Sequence, residues 1–151
     1  MQYKLHQRNS DKNNTALYKH AIEFFTSELF TKKQQEKLEL SIIIRNIKNN
    51  RNNNTYGTCE QVTNYNYKIE INKNLPFHEI IATIGHEMVH AKQGISGKLL
   101  YKKYGFIWLG KMYKNLDEYK SFPWELEAKE LEIILAKKFM ALISKEITNL
   151  A

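Results

Sequence analysis

The sequence is short of several features, and each absence excludes a class of protein. Cysteine occurs once, at Cys59, so no disulfide can form within the chain, and we expect a reducing environment. Proline occurs only at Pro76 and Pro123, which leaves long stretches where helices and strands can run uninterrupted. No apolar run approaches the ~20 residues that a membrane-spanning helix needs. A disulfide-rich secreted scaffold and an integral membrane protein are therefore disfavoured.

Arginine is also scarce, although the chain is basic. The formal net charge is +7, yet only 3 of the 23 basic residues are Arg. Arginine is the usual partner of phosphates and base edges in specific complexes, so its scarcity argues against sequence-specific nucleic-acid recognition. The chain also holds 15 Asn residues, and AT-rich coding DNA would produce the same Lys and Asn bias. We expect no more than weak, nonspecific nucleic-acid association through a Lys-rich surface.

Length and composition indicate one globular domain. The chain has 151 residues, of which 42% are hydrophobic and 26% charged. The first 14 residues lack the apolar core of a secretory signal. We therefore expect a single domain over residues 1–151, with its core at about 14–147, an intracellular location and no membrane contact.

The spacing of apolar residues predicts three helices with several strands between them. The predicted helices cover residues 14–32, 76–93 and 124–147. The predicted strands and hairpins cover residues 38–47, 56–62, 65–71 and 104–115. Pro76 and Pro123 stand where the second and third helices begin, and Gly94 is the predicted stop of the second. This order predicts an α+β fold whose small, mainly antiparallel sheet packs on the central helix, with helices at both ends.

The segment "GHEMVH" (85–90) carries the clearest chemical pattern. His86 and His90 are four residues apart, so on a helix their imidazoles lie one above the other and can share a metal ion. Glu87 is one step round the helix and can reach a metal-bound water without being a ligand. Zinc lowers the pKa of such a water to about 7, and a neighbouring carboxylate can then take its proton. The pattern predicts a hydrolytic zinc site.

The opposite face of this helix is apolar. Its apolar residues recur at spacings of four and three: Phe77, Ile81, Ile84, Met88 and Ala91. His86 points away from that stripe, so one face can pack in the core while the other presents imidazoles to a cleft. Gly85 has no side chain and is expected to let a neighbouring strand approach closely.

A hydrolytic zinc needs a third protein ligand, and none of the five histidines follows the motif. A downstream carboxylate must therefore serve. The candidates are Asp117, Glu118, Glu125, Glu127 and Glu130. The helix that begins at Pro123 is the strongest context, because a packed helix holds a ligand more firmly than a loop does. Periodicity alone does not choose between Glu125 and Glu127.

These two motifs resemble the gluzincin branch of the zincin metallopeptidases. "HEMVHAKQG" (86–94) with "PWELEA" (123–128) is similar to small single-domain members of phages and bacteria, related to the SprT-like and minimal gluzincin groups. In that family the third ligand begins a Glu-x-x-Ala-Asp pattern, which implies Glu125 as the ligand. Lys129 stands where the family has its supporting Asp, so Glu127 or Glu130 would replace that acid, or Glu127 would be the ligand. SprT-like proteases proper use a histidine instead.

The resemblance implies a zincin-like domain and a zinc-dependent peptidase with one Zn²⁺ per chain. Zinc on the three ligands would polarise the scissile carbonyl and activate water, while Glu87 takes the proton and passes it to the leaving amine. An extended peptide substrate would pair along an edge strand, for which residues 65–71 are the candidate. A tyrosine would stabilise the oxyanion. The candidates between the two ligand helices are Tyr101, Tyr104, Tyr113 and Tyr119.

A different function class stays open. The chain could be a basic nucleic-acid-associated module, or a virion or assembly component of a phage, that keeps a zincin fold with structural zinc or none. The interleaved Lys and Tyr of residues 97–120 favour this alternative. Glu87 argues against it, because a purely structural site gives that carboxylate no role. Cys59 is expected to be structural, and Trp108 and Trp124 are expected to lie in the core.

Overall fold

The computed structural model describes residues 1–7, 14–47, 55–114 and 121–150. Helices and strands are mixed along these residues, which confirms the predicted α+β class. The helices are α1 (Thr15–Leu29), α2 (Lys32–Lys37), α3 (Phe77–Ile95) and α4 (Pro123–Leu150). The strands are β1 (Gln2–Gln7), β2 (Glu39–Arg45), β3 (Gly57–Gln61), β4 (Asn66–Asn72), β5 (Leu99–Lys102), β6 (Gly105–Trp108) and β7 (Lys111–Tyr113). None of the described helices has the length and apolarity that crossing a membrane requires.

Most predicted elements are present, and three further elements were not predicted. The prediction missed strand β1, helix α2 and strand β5. Helix α2 begins with a capping box, in which the side chains of Thr31 and Gln34 each bind the other residue's backbone N–H. Helix α3 does not stop at Gly94 but continues to Ile95.

The larger sheet is mixed, so the expectation of a mainly antiparallel sheet is wrong for it. Its strand order is β1-β2-β4-β3. Strand β2 pairs in parallel with both β1 and β4, whereas only β3 and β4 form the predicted antiparallel hairpin. Parallel neighbours need a long crossover, and here α1 and α2 supply it between β1 and β2. Strand β4 therefore lies inside the sheet, and β3 replaces it as the edge strand.

Alternation along the two central strands builds the main core. Every second side chain of β2 and β4 is buried: Leu40, Ile42, Ile44, Tyr67, Ile69 and Ile71. Helix α3 contacts this sheet and also packs against α1 and α4. The predicted apolar stripe of α3 is confirmed, since Ile81, Ile84, Met88 and Ala91 are fully buried and Phe77 is partly buried.

A second, smaller core lies under the antiparallel sheet β5-β6-β7. Trp124, in the first turn of α4, is its centre. The ring centroids of Phe122, Phe106 and Trp108 lie 4.5, 5.1 and 6.3 Å from that of Trp124. The expected core role of Trp108 and Trp124 is thus confirmed, and this cluster holds the start of α4 in place.

Of the two glycines in α3, Gly94 and not Gly85 has a neighbour too close to admit a side chain. A Cβ atom at position 94 would lie 2.6 Å from the hydroxyl oxygen of Tyr67. That hydroxyl is held in place, because it donates to the Asn64 carbonyl and accepts from the Gln61 amide, both at 3.2 Å. A Cβ at position 85 would meet side chains of α1 and α4 at 3.4 Å or more, which is ordinary contact.

The two glycines of α3 should respond oppositely to alanine. We expect Gly94→Ala to lower the free energy of unfolding by about 1–3 kcal/mol, because the new methyl group overlaps a fixed tyrosine. Gly85→Ala should raise it by up to about 1 kcal/mol, because alanine favours the helix and has room. Urea unfolding of both variants measures the difference. Equal effects of the two substitutions would contradict this account of Gly94.

Candidate metal centre

Helix packing brings one carboxylate to the two imidazoles. His86 and His90 lie on the same face of α3, one turn apart, as their spacing predicts. Glu125 lies in the first turn of α4, 35 residues after His90, and is buried. Helix α4 packs along α3, with Ala128 fully buried one turn beyond Glu125. Two helices distant in sequence thus supply the three groups.

The three donor groups have the spacing of ligands to one small cation. The two Nε2 atoms of His86 and His90 are 3.2 Å apart. The oxygens Oε2 and Oε1 of Glu125 lie 3.3 Å from Nε2 of His86 and 3.1 Å from Nε2 of His90. Ligands at ~2.0–2.1 Å from a tetrahedral zinc are about 3.3 Å from one another, and one donor atom from each of these residues lies within 4.8 Å of the others. This His-His-Glu group could therefore hold a metal ion.

Each imidazole is oriented by a hydrogen bond from its other nitrogen. Nδ1 of His86 donates to Oε2 of Glu132 at 2.8 Å. Nδ1 of His90 donates to Oε1 of Gln93, also at 2.8 Å. Such bonds fix the ring and its tautomer, so that Nε2 faces the third group. The amide of Gln93 is itself held, because its Nε2 donates to the backbone carbonyl of Trp124 at 3.0 Å.

The structure distinguishes Glu125 from Glu127, which the sequence pattern alone did not. Glu125 joins the His pair. Glu127 lies on another side of α4, where its oxygens accept from Nε2 of Gln93 at 3.2 Å and from Nζ of Lys98 at 3.1 Å. Glu127 therefore supports Gln93 and is absent from the donor group. Of the other candidates, Glu130 is exposed, and 117 and 118 lie outside the described residues.

Glu132 and Gln93 were not among the predicted site residues. The supporting acid expected beside the site was Glu127 or Glu130, yet Glu132 is the acid that accepts from Nδ1 of His86. A helical signal was present, because Glu132 follows Glu125 by seven residues and so lies on the same face two turns later. Gln93 follows His90 by three residues, which also places it on the same face.

The buried charges set the proton affinities of the site. Burial raises the pKa of Glu87 to about 7, although the neighbouring His90 and His86 oppose this effect. Burial disfavours the charged form of His86, but hydrogen bonds to Glu125 and Glu132 outweigh it and raise the pKa of His86 to about 10. The pKa of His90 is raised in the same way by Glu125. Glu87 is thus a carboxylate that can exchange a proton near neutral pH.

A cavity of about 250 Å³ opens beside the donor group. Glu87, His90 and Glu125 line one side, and the edge strand β3 and the small sheet line the others. Strand β3 reaches this position because residue 57 is glycine. A Cβ there would lie 2.8 Å from Cγ2 of Thr83 and 3.1 Å from Cγ of Glu87. The lack of a side chain at Gly57 therefore lets the edge strand rest directly against α3 at the acid.

Of the four tyrosine candidates, Tyr101 is the one that lines the cavity among the described residues. Burial raises its pKa far above the usual range, so its hydroxyl stays protonated and can donate a hydrogen bond. Tyr104 is 76% exposed, and Tyr113 packs against Trp124 in the small core. Position 119 lies outside the described residues.

Cys59 also lines this cavity, which its sequence context did not suggest. Burial raises the pKa of its thiol well above the ordinary value, and the nearby Glu87 adds to the effect. A neutral thiol is a poor nucleophile and a poor metal ligand. Its expected structural role remains a prediction.

Substitutions of Glu125 and Glu127, which lie on the same turn of α4, distinguish a residue of the donor group from a supporting residue. We expect Glu125→Gln to lose the metal, because a carboxylate oxygen of the donor group is replaced by a neutral amide. Glu127→Gln should retain about one metal ion per chain, because Glu127 accepts hydrogen bonds from Gln93 and Lys98 and is not in the donor group. Elemental mass spectrometry of protein reconstituted with zinc gives the stoichiometry. Equal zinc content in the two variants would contradict the assignment of Glu125.

The raised pKa of His86 makes the stability of the metal-free protein depend on pH. Between the ordinary pKa of 6.5 and about 10, folded protein keeps a proton on His86 that the unfolded chain has released. This stabilisation is complete below pH 6.5 and is lost as pH rises through about 10. We therefore expect chelator-treated protein to unfold at lower urea concentration at pH 10 than at pH 6.5. His86→Asn should flatten this dependence, and an unchanged slope in that variant would assign it to other groups.

Comparison with known proteins gave no match, whether with family models, with curated proteins or with solved structures. The likeness to the gluzincins therefore rests on the motifs at 86–94 and 123–128 alone. The α+β fold and the metal-capable triad of His86, His90 and Glu125 rest on the structure.

Proposed function

We propose that this protein is a zinc-dependent peptidase. The observation that carries the proposal is the position of Glu87, a buried carboxylate that titrates near neutral pH and lines one cavity with His90 and Glu125. A structural metal site has no use for such a group, whereas hydrolysis needs a base at this place. Two imidazoles and one carboxylate are a donor set that catalytic zinc sites use.

The chain's own residues have distinct roles in this proposal. Zinc held by His86, His90 and Glu125 would supply Lewis-acid chemistry toward a carbonyl oxygen and a water molecule. Glu87 accepts the proton that the attacking water gives up and delivers it to the leaving amine. Tyr101 keeps its hydroxyl proton and donates a hydrogen bond to the developing oxyanion.

An extended peptide is the substrate shape that the cavity favours. Strand β3 is the edge of the larger sheet, and its residues Gly57–Cys59 line the cavity beside Glu87. A substrate strand can add to this edge through main-chain hydrogen bonds, which require little sequence specificity. Strand β3 replaces residues 65–71 as the candidate edge strand for the substrate, because β4 in that segment has neighbouring strands on both sides.

The nucleic-acid alternative has less support. Base stacking needs exposed aromatic rings, but Phe106, Trp108 and Tyr113 of the Lys-rich segment pack against Trp124. The exposed ring of Tyr104 is the exception among the described aromatics of this segment. The intracellular location remains a prediction. The virion-component alternative also remains a prediction.

Removing the base should abolish hydrolysis without removing the metal. We expect Glu87→Gln to lower the rate of peptide-bond cleavage by about 10²–10⁴-fold, since the amide cannot accept the proton. Zinc content should stay at the wild-type level, because Glu87 is not in the donor group. Mass spectrometry of products from an unfolded protein substrate gives the rate, and Glu79→Gln, on the first turn of the same helix, is the matched control.

A second pair of variants separates catalysis from binding. Tyr101→Phe should lower kcat by about 10²–10³-fold with little change in KM, because its hydrogen bond forms with the oxyanion and not with the ground state. Tyr104→Phe, at an exposed ring, should leave both constants unchanged. Cleavage that survives Glu87→Gln, or that persists after zinc is stripped, would show that the triad is not the site of hydrolysis.

A further inference from the structure

One face of the small sheet is apolar and exposed. Paired residues of neighbouring strands lie on the same face, so the register of β5, β6 and β7 places Leu100, Ile107 and Met112 in one row. The adjacent row, which includes Phe106, lies on the opposite face and packs against Trp124. Leu100 and Met112 are 41% and 44% exposed. This row, together with Leu109 in the turn that follows β6, is the outer hairpin surface.

Leu109 has a backbone conformation that leucine rarely adopts. Its φ is +47°, and Gly110 beside it has a φ of +86°. Two successive positive φ values between antiparallel strands are typical of a type I′ turn, where Asn and Gly are preferred. The Leu109 side chain is 68% exposed, so burial does not account for leucine at this position. A strained, exposed apolar residue points to a contact outside the fold of this chain.

Lysines flank this apolar surface. Lys102 follows Leu100 by two residues and Lys114 follows Met112 by two, which places both on the face of the row, whereas Lys111 pairs with Trp108 and lies on the opposite face. Residues 96–114 contain five Lys and neither Asp nor Glu. Lys98 forms an ion pair with Glu127. None of the ion pairs between described residues includes the other four lysines, which are Lys102, Lys103, Lys111 and Lys114. The partner that fits this surface therefore carries negative charge beside apolar groups.

The chemistry of the surface selects among anionic partners. Aliphatic and thioether side chains such as Leu100 and Met112 do not stack with bases, which disfavours nucleic acid. A second copy of the chain would bring two basic surfaces together, and like charges repel. A bilayer that contains anionic lipids offers phosphates to lysines and an apolar interior to Leu109.

We propose that the outer hairpin surface binds the surface of an anionic phospholipid bilayer. Leu109 and the row Leu100–Ile107–Met112 enter the headgroup region, and Lys102 and Lys114 contact lipid phosphates. The earlier expectation of no membrane contact rested on the lack of a spanning segment, and surface binding requires none. This proposal does not depend on catalysis, because the inner face of the same sheet lines the cavity and the outer face does not.

Vesicle co-sedimentation of the full chain tests the proposal. We expect binding to phosphatidylcholine vesicles that contain about 30% phosphatidylserine, weaker binding as salt rises, and no binding to phosphatidylcholine alone. Leu109→Asn should weaken binding about tenfold, because it removes the leucine side chain that would enter the bilayer. The same variant should melt no lower than wild type, because asparagine suits the turn. Lys102→Gln and Lys114→Gln should each weaken binding about fivefold.

Exposed residues of α4 provide matched controls. Ile147→Asn, at a side chain that is 62% exposed, and Lys137→Gln should leave vesicle binding unchanged. No sedimentation with phosphatidylserine vesicles would overturn the proposal. So would losses of equal size in the control variants, which would mean that only the overall charge acts. Binding of a single-stranded oligonucleotide in place of vesicles would assign the surface to nucleic acid and would also overturn it.

Discussion

The contact between α3 and α4 is the interaction on which the site depends. It places Glu125 against His86 and His90, and it places Glu132 against the far nitrogen of His86. A small residue of α4 lies one turn beyond Glu125, since Ala128 is fully buried there. The two helices thus bury carboxylates and imidazoles together, and each charge finds an opposite charge within a few ångströms.

Such a cluster is costly to bury unless its charges are balanced. Removing any one partner would leave an uncompensated charge in a medium of low polarity. A proton on His86 balances the carboxylates when the metal is absent, which is why the pKa of His86 is so high. A divalent cation at the same place would balance them as well and would displace that proton. A proton and a metal ion would therefore compete for one position between α3 and α4.

The sequence predicted the features that follow from local spacing. It did not predict the features that depend on pairing between distant segments. The HExxH spacing predicted which side chains of α3 meet, and apolar periodicity predicted which face is buried, because both follow from helix geometry alone. Glu125 and Glu127 could not be separated, because their positions depend on how α4 rotates against α3. Strand β1 was missed because its partner β2 lies 37 residues away, as Gln2 pairs with Glu39. Parallel pairing at that distance leaves no local signal.

The small core around Trp124 has a consequence for motion. It buries four residues, Leu99, Trp108, Phe122 and Trp124, whereas the main core buries many more. A unit with fewer buried apolar contacts opens at a lower free energy than the rest of the molecule. We therefore infer that the cavity wall formed by β5 and β6 opens at a lower free energy than α3 and the large sheet, so that its amide protons exchange with solvent before those of β2 and β4.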